Sequence, residues 1–466
     1  MRLIEILPKS IILVSIASFA SCQRIPCPAM HKKTSRDLSS TLRNSLENEL
    51  LRMWYPACID SVNGGFLADF SYNWAPNGLQ EKMIVTQTRQ IWTASNAFHF
   101  FNDSAYFRFA QHGFRFVKEK MWDKEFGGFY MLRNTKGDAT YHPAHDEKTA
   151  YGNAFAIYAL SNYYQISHDY AALQLSIETF RWLEDHSYDP VYKGYFDTML
   201  RDGSLYSESN SNFKGMELKR KQWKDYNSTI HLLEAFSELY KIWPDSLLRE
   251  RTIEILDLLQ NTFIDERGFL KLYFERDWTP VNYRDSAHYV LKANYYYDHV
   301  SFGHDIETAY LMLEASDALR ISNDSLILVT AKKLVDHALK YGWDEKNGGF
   351  YDMGYYLIDN EALTIVGDAK IWWTQAEGLN SLLLMATLFP DESQYYERFL
   401  QQWNYIDKYI IDHKYGEWYV EGIDKSPGKK RSPKATNWKV NYHNSRALIN
   451  CIRMLEEKHN PPGKNM

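Results

Sequence analysis

The chain has 466 residues, 45% of them hydrophobic and 24% charged, a balance that excludes disordered, collagen-like and multi-span membrane classes. A net charge of −6 and a pI near 6.2 leave no basic surface for phosphate recognition, so no nucleic-acid partner is expected. Aromatic residues make up 15%, with 14 Trp, 34 Tyr and 24 Phe, enough to fill a core and also to line a site for flat apolar faces such as sugar rings.

The chain opens with MRLIEILPKSIILVSIASFASC, in which Arg2 and Lys9 precede an apolar stretch from Ile11 to Ala20 and small residues lead into Cys22. That pattern is an export signal, and about ten apolar residues are too few for a mature bilayer span. The Phe-Ala-Ser-Cys ending resembles a bacterial lipobox, with Phe19 where Leu is usual. The expectation is a signal over 1–21, acylation at Cys22, a linker over 22–37, one domain over 38–460 and a tail over 461–466. The product would be a periplasm-facing monomer that meets the membrane only through its lipid. Cys27, Cys58 and Cys451 fit neither a disulfide framework nor a zinc spacing.

A Gly-aromatic signature recurs six times, around Gly65, Gly128, Gly194, Gly268, Gly349 and Gly416, at spacings of 63 to 81 residues. Amphipathic helical patterns fill the intervals, over 36–54, 87–102, 104–121, 148–167, 170–186, 226–242, 246–263, 304–321, 324–341, 372–388, 391–411 and 442–458. Five connections are very short and carry an Asp or Ser able to cap the next helix, as in Asn102-Asp-Ser104 and Phe389-Pro-Asp391. The others are long and hold the Gly-aromatic signature, read as small hairpins. Six antiparallel helix pairs predict an all-α (α/α)6 barrel, six inner helices ringed by six outer ones, with an open superhelix as the competing arrangement.

The even-numbered helices each follow a long loop, and residues that a buried helix would avoid gather near their starts. These are Arg89 in the second, Tyr151 in the fourth, Asn227 and His231 in the sixth, and His304 and Glu307 in the eighth. The tenth has Trp372, Trp373 and Glu377, and the twelfth is preceded by Trp438 and carries His443 and Arg446. In a closed barrel these starts face one cavity. His304 and Glu307 are three apart and share a helix face, so the carboxylate could orient the imidazole. The same spacing could hold a metal with His231, His304, Glu307 and His443 as ligands, although no HExxH or cysteine set accompanies it. Arg89, Arg446 and Glu377 could instead form an internal ion-pair network, and the tryptophans could simply pack. Free histidines suit proton transfer near neutral pH.

The motifs TRQIWTAS, KTAYGNAFAIYALSNYY, NSTIHLLEAFSELY, GHDIETAYLMLEAS, KIWWTQAEGLNSLL and WKVNYHNSRAL, in that order over residues 40 to 458, resemble the N-acylglucosamine 2-epimerase superfamily and within it the cellobiose (mannobiose) 2-epimerases. The resemblance implies an (α/α)6 barrel that interconverts glucose and mannose at the reducing end of β-1,4-linked disaccharides, without a cofactor. It implies His304 and His443 as the acid/base pair at C2, His231 for ring opening, Glu307 as support for His304, and Arg89 as partner of the enediolate oxygen. Tyr151 and Asn227 match sugar-binding positions, and Trp373 and Trp438 match aromatic platforms. Trp372 and Glu377 join the expected substrate-binding set. Val440-Asn441 stands where the family usually has Cys-Pro, and Thr374 where other residues are common.

Three other readings compete: a monosaccharide epimerase or aldose–ketose isomerase, a glycoside hydrolase using two of Asp298, Asp305, Glu307 and Glu377, and a non-catalytic glycan-binding protein.

Overall fold

The computed structural model describes residues 35–140, 146–321, 325–357 and 362–457. The export segment, Cys22, Cys27, the C-terminal tail and part of the connection at 322–325 lie outside them. In chain order the helices are α1 (Ser35–Asn44), α2 (Arg52–Trp54), α3 (Ile84–Phe101), α4 (Ser104–Phe116), α5 (Ala150–Ser167), α6 (Tyr170–His186), α7 (Gly215–Lys221) and α8 (Tyr226–Ile242). They continue with α9 (Ser246–Leu258), α10 (His288–Asp298), α11 (Phe302–Leu319), α12 (Ser325–Gly342), α13 (Trp372–Leu388), α14 (Ser393–Tyr405) and α15 (Tyr442–Glu457). A π-type segment, Ser45–Leu51, joins α1 to α2 as one rod, and similar turns extend α4, α9 and α14.

Helices α3, α5, α8, α11, α13 and α15 pack each against the next, and α15 returns to α3, so the ring closes. Helices α1, α4, α6, α9, α12 and α14 lie outside, each chiefly against one inner helix, with α4, α9 and α12 also touching the next. This is the expected (α/α)6 barrel. The sequence dictates which helix goes inside: α5 is buried at every position from Ala150 to Ser161, whereas α4 and α6 expose a polar stripe. Asp103, Asp169 and Asp245 cap α4, α6 and α9 as their sequence positions predict. Asp391 does not cap: α14 starts at Ser393, behind Glu392, without a side-chain cap. Helices α7 and α10 sit in long loops that the helical periodicity passes over.

The Gly-aromatic signatures form tight hairpins closed by single antiparallel bridges, Ile59 to Phe66, Trp122 to Phe129, Tyr188 to Tyr195, Ile264 to Leu270, Trp343 to Phe350 and Ile411 to Trp418. Gly65 has φ +67°, and a Cβ there would lie 2.5 Å from the Gln87 amide oxygen and 2.8 Å from the Phe116 ring, so only glycine fits. The Gln87 amide both accepts from the Phe66 N–H and donates to the Phe66 carbonyl, clamping the hairpin onto α3. Short strands then tie each long loop to its neighbour: β1 (Lys82–Met83) with β2 (Leu132–Arg133), β3 (Lys148–Thr149) with β4 (Thr198–Met199), and β5 (Lys224–Asp225) with β6 (Tyr273–Phe274). A three-stranded group, β7 (Val300–Ser301), β8 (Met353–Tyr356) and β9 (Leu363–Gly367), completes the set.

Each hairpin turns on an aspartate, and in five of the six a buried lysine neutralises it: Lys82–Asp60 at 2.8 Å, Lys148–Asp123 at 3.0 Å, Lys224–Asp189 at 3.1 Å, Lys370–Asp344 at 2.6 Å and Lys434–Asp412 at 2.5 Å. Four of these lysines stand two residues before an inner helix and fix its entry point. Burial pushes Lys224 down to about 8, against the opposing pull of Asp189. In the unit that delivers α11, Val300 takes the lysine's place, and Asp265 pairs with the half-exposed Arg267 instead. Cys58 and Cys451 are buried free thiols.

Breaking a buried pair leaves an uncompensated charge, whereas an exposed pair contributes little. Lys82→Met is therefore expected to lower unfolding stability by about 3–5 kcal/mol, and Arg267→Ala by no more than about 1 kcal/mol, measured as the shift of the guanidinium midpoint.

Candidate active site

The inner-helix N-termini and the long loops share one end of the barrel. There a cavity of about 300 Å³ is lined by Arg89, Tyr151, Asn227, His231, His304, Glu307, Trp372, Trp373, Trp438 and His443, joined by Tyr226 and Tyr296. Every expected site residue except Glu377 reaches this wall, and Glu377 lies directly beneath it.

The floor is built around Arg446, which is 1% exposed. Its Nη1 donates to Glu234 and to the Tyr442 hydroxyl, and its Nη2 lies 2.6 Å from Glu307 and 2.8 Å from Glu377. One guanidinium thus serves three buried carboxylates drawn from α8, α11 and α13. Burial alone would raise the Glu234 carboxyl, yet Arg446 and His231 hold it down at about 2. Glu377, by contrast, is raised by burial despite Arg446, and its Oε2 has no partner among the described residues.

Three histidines rise from this floor. His231 Nδ1 is 2.9 Å from Glu234 Oε2, and His443 Nδ1 is 2.7 Å from Glu377 Oε1, with Glu307 at 3.8 Å. A carboxylate only accepts, so Nδ1 of each carries the proton and Nε2 is directed away from the floor. His304 is held differently, with Nδ1 2.6 Å from the Ser301 hydroxyl. Trp373 packs between the two outer members of the set, 4.5 Å from the His304 ring and 5.8 Å from the His443 ring. Gly303 makes that placement possible, because a Cβ there would lie 2.4 Å from the Trp373 ring. Burial, reinforced by His231, His299 and His443, holds His304 well below the ordinary imidazole value. Burial and Arg89 also push His443 down, but Glu307 opposes them.

Arg89, 4% exposed, closes the opposite wall, donating to the Tyr151 hydroxyl at 3.0 Å and lying over the Phe155 and Tyr442 rings at 4.4 and 5.1 Å. Its Nε makes no hydrogen bond among the described residues. It is therefore no part of the ion-pair network, which Arg446 and Glu377 do form. Trp438 is 54% exposed at the rim, while Trp372 is 9% exposed with the Lys439 ammonium 5.5 Å from its ring centroid.

The family profile described as N-acylglucosamine 2-epimerase (GlcNAc 2-epimerase) matches residues 65–447, most of the chain. The chain belongs to that family. It is 26% identical over 421 residues to a cellobiose 2-epimerase of Bacteroides fragilis, covering 90% of this chain and 99% of the relative. A D-mannose isomerase of Marinomonas mediterranea is also 26% identical, with coverages of 90% and 98%. The solved structure of a cellobiose 2-epimerase from Spirochaeta thermophila superposes with a TM-score of 0.75 at 26% identity, covering 93% of this chain and 100% of that one.

Several expectations change against this geometry. Glu307 does not support His304: the shared helix face is real, but the His304 imidazole turns back one turn to Ser301 while Glu307 reaches across to Arg446. The i,i+3 carboxylate pairing instead occurs at His231 and Glu234, which sequence reading left out although the spacing was visible. The alternative four-ligand set of His231, His304, Glu307 and His443 does not converge among the described residues. Glu307, Glu377 and His443 bring donor atoms within 4.8 Å of one another, but the guanidinium bonded to both carboxylates already supplies their positive charge. The hydrolase carboxylates are also engaged: Asp305 accepts from the Leu270 N–H, and Asp298 from the Tyr283 N–H and the Tyr355 hydroxyl. Ser301, Tyr226 and Tyr296 are further residues at the site that no sequence pattern marked.

Because burial opposes their charging, His304 and His443 are expected to remain neutral at pH 6.5 and to titrate only on further acidification. The imidazole C–H shifts of ¹³C-labelled protein, assigned with His304→Gln and His443→Gln, check this.

Proposed function

We propose that the chain is a cofactor-independent 2-epimerase that interconverts glucose and mannose at the reducing end of β-1,4-linked disaccharides through a cis-enediolate. The observation that carries the reading is the pair His304 and His443, on α11 and α15, both beside Trp373 in one cavity. Inverting a carbon by proton exchange needs one group to take the proton and another to return it from the opposite face.

In this reading the sugar opens, with His231 moving the proton between ring oxygen and anomeric hydroxyl. One histidine Nε2 removes the C2 proton, the C–H electron pair forms the C1–C2 double bond, and charge moves to O1. Arg89 stands ready for that oxyanion with fixed, buried donors, which act strongest where water is excluded. The other histidine, having taken up a proton from solvent, then protonates C2, the first gives the proton it removed back to solvent, and the ring recloses. Trp373 and Trp438 offer aromatic faces to the sugar rings.

A monosaccharide isomerase would use the same first proton transfer, and a D-mannose isomerase is among the relatives. The disaccharide reading is favoured by a second cavity of about 240 Å³ that shares Tyr151, Asn227 and Trp438 with the first, giving room for a second ring. Incubation with cellobiose or mannobiose in D₂O is expected to place deuterium at C2 of the reducing sugar, read by NMR. Recovery of unlabelled, unchanged sugar refutes the reading, and a ketose product favours the isomerase. His304→Ala and His443→Ala are each expected to lower turnover by about 10²–10⁴-fold with sugar binding retained.

We also propose that the enzyme works outside the cytoplasm as a monomer tethered through Cys22. Support comes from Arg2 and Lys9 before the Ile11–Ala20 stretch and the Phe19-Ala-Ser-Cys22 ending. Metabolic labelling with palmitate is expected to mark the wild-type protein and not Cys22→Ser; label in both variants, or in neither, refutes the tether.

A further inference from the structure

The three histidines of the site are not backed alike. His231 and His443 each rest on a carboxylate, and those carboxylates belong to a group of three that shares a single guanidinium. Those two rings each have a carboxylate oxygen positioned to accept from Nδ1. His304 rests on the neutral hydroxyl of Ser301.

The serine uses its side chain differently from its polar counterparts on α5 and α8. Ser301 is the residue before the first turn of α11, where its side chain would ordinarily cap the helix. At the corresponding positions of α5 and α8, Thr149 and Asp225 do so, accepting from the Gly152 and Ser228 N–H groups. Ser301 makes no cap bond; 2% exposed, it gives its hydroxyl to the His304 ring. This is also the unit in which, among the described residues, no buried lysine pairs with the hairpin aspartate, Asp265 meeting Arg267 instead.

We propose that Ser301 is a positioning residue for His304, aiming Nε2 into the cavity and keeping the imidazole neutral, so that the two acid/base histidines are built unequal. A hydroxyl can donate to Nδ1 or accept from it, and so supports either neutral tautomer, but it cannot balance a positive ring. The groups facing His304 from the packed elements do not balance one either. Tyr226 and His231 approach from α8, His443 from α15 and His299 from the segment before β7, and Trp373 on α13 is uncharged. Glu307, on His304's own helix, is committed to Arg446. His443 faces Arg89, Arg446, Tyr442 and His231, but also Glu377 and Glu307. His304 is thereby the ring with no carboxylate within bonding reach among the described residues, whereas His443 has Glu377 at 2.7 Å and Glu307 at 3.8 Å.

This inference rests on the epimerase reading, and the experiment keeps the two apart. Full-length wild type, Ser301→Ala, Ser301→Thr and Ser301→Asp are compared for kcat, KM and the pH profile of kcat/KM on cellobiose, with deuterium at C2 followed in D₂O. Ser301→Ala is expected to lower kcat about tenfold or more with KM little changed, and Ser301→Thr to restore most of it. Ser301→Asp places a carboxylate behind His304, raises its affinity for a proton, and moves the acid limb of the profile upward by about one pH unit. Wild-type kcat in Ser301→Ala, or an acid limb unmoved in Ser301→Asp, overturns the proposal. If Ser301→Asp does not fold, the ¹⁵N shifts of His304 in the Ala and Thr variants decide: a tautomer balance unchanged by removal of the hydroxyl overturns it. Wild type that leaves C2 unlabelled fails the epimerase reading itself, a different result from an active wild type matched by Ser301→Ala.

Discussion

The site depends on one buried cation. Arg446 is held at the centre of the ring by carboxylates from three other inner helices, and each of those carboxylates in turn sets something above it. Glu234 fixes His231, Glu377 fixes His443, and Glu307 stands between. A buried ion pair contributes little net stability, because desolvation cancels most of the attraction, so the network is better understood as a device for geometry than for strength. The planar fork of the guanidinium suits that role, since two of its nitrogens reach three acids and a phenol, which a lysine ammonium could not do at these angles.

That network also explains why the barrel has to close. The partners of Arg446 arrive from α8, α11 and α13 while Arg446 itself sits on α15, the last helix of the chain. Only the return of α15 against α3 and α13 brings the four together. The repeated aspartate hairpins set where each inner helix begins, and the floor sets how the helices face one another. Where the repeat departs from its own rule, at Val300 and Ser301, the departure coincides with the one of the three cavity histidines that, among the described residues, bonds a hydroxyl and not a carboxylate.

Much of this was legible in the sequence. The Gly-aromatic markers and the alternation of short and long connections gave the helix pairing, because both are local consequences of turn chemistry and of the 3.6-residue period. The site residues were legible as misfits, polar groups at the starts of helices that are otherwise apolar. What was not legible is who pairs with whom. His304 and Glu307 share a face, and so do His231 and Glu234, and Arg446 bonds both carboxylates, yet only the second pair bonds; the difference is that the His304 ring turns back to the Ser301 hydroxyl, outside its own helix. The buried lysines were equally hidden, since Lys82 or Lys148 reads as an ordinary surface residue until the hairpin aspartate folds against it. Helices α7 and α10 escaped notice because aromatic and basic residues in them follow no clear apolar stripe.

The short strands that join neighbouring long loops have a consequence for how this scaffold diversifies. β1 and β2 belong to different loops, as do β3 and β4, β5 and β6, and β7 and β8, so each rim segment borrows backbone partners from the next. The rim behaves as a laced collar and not as a set of independent fingers. A graft that replaces one loop strands the unpaired edge of its neighbour, so a loop exchanged in this scaffold has to carry its adjoining loop with it.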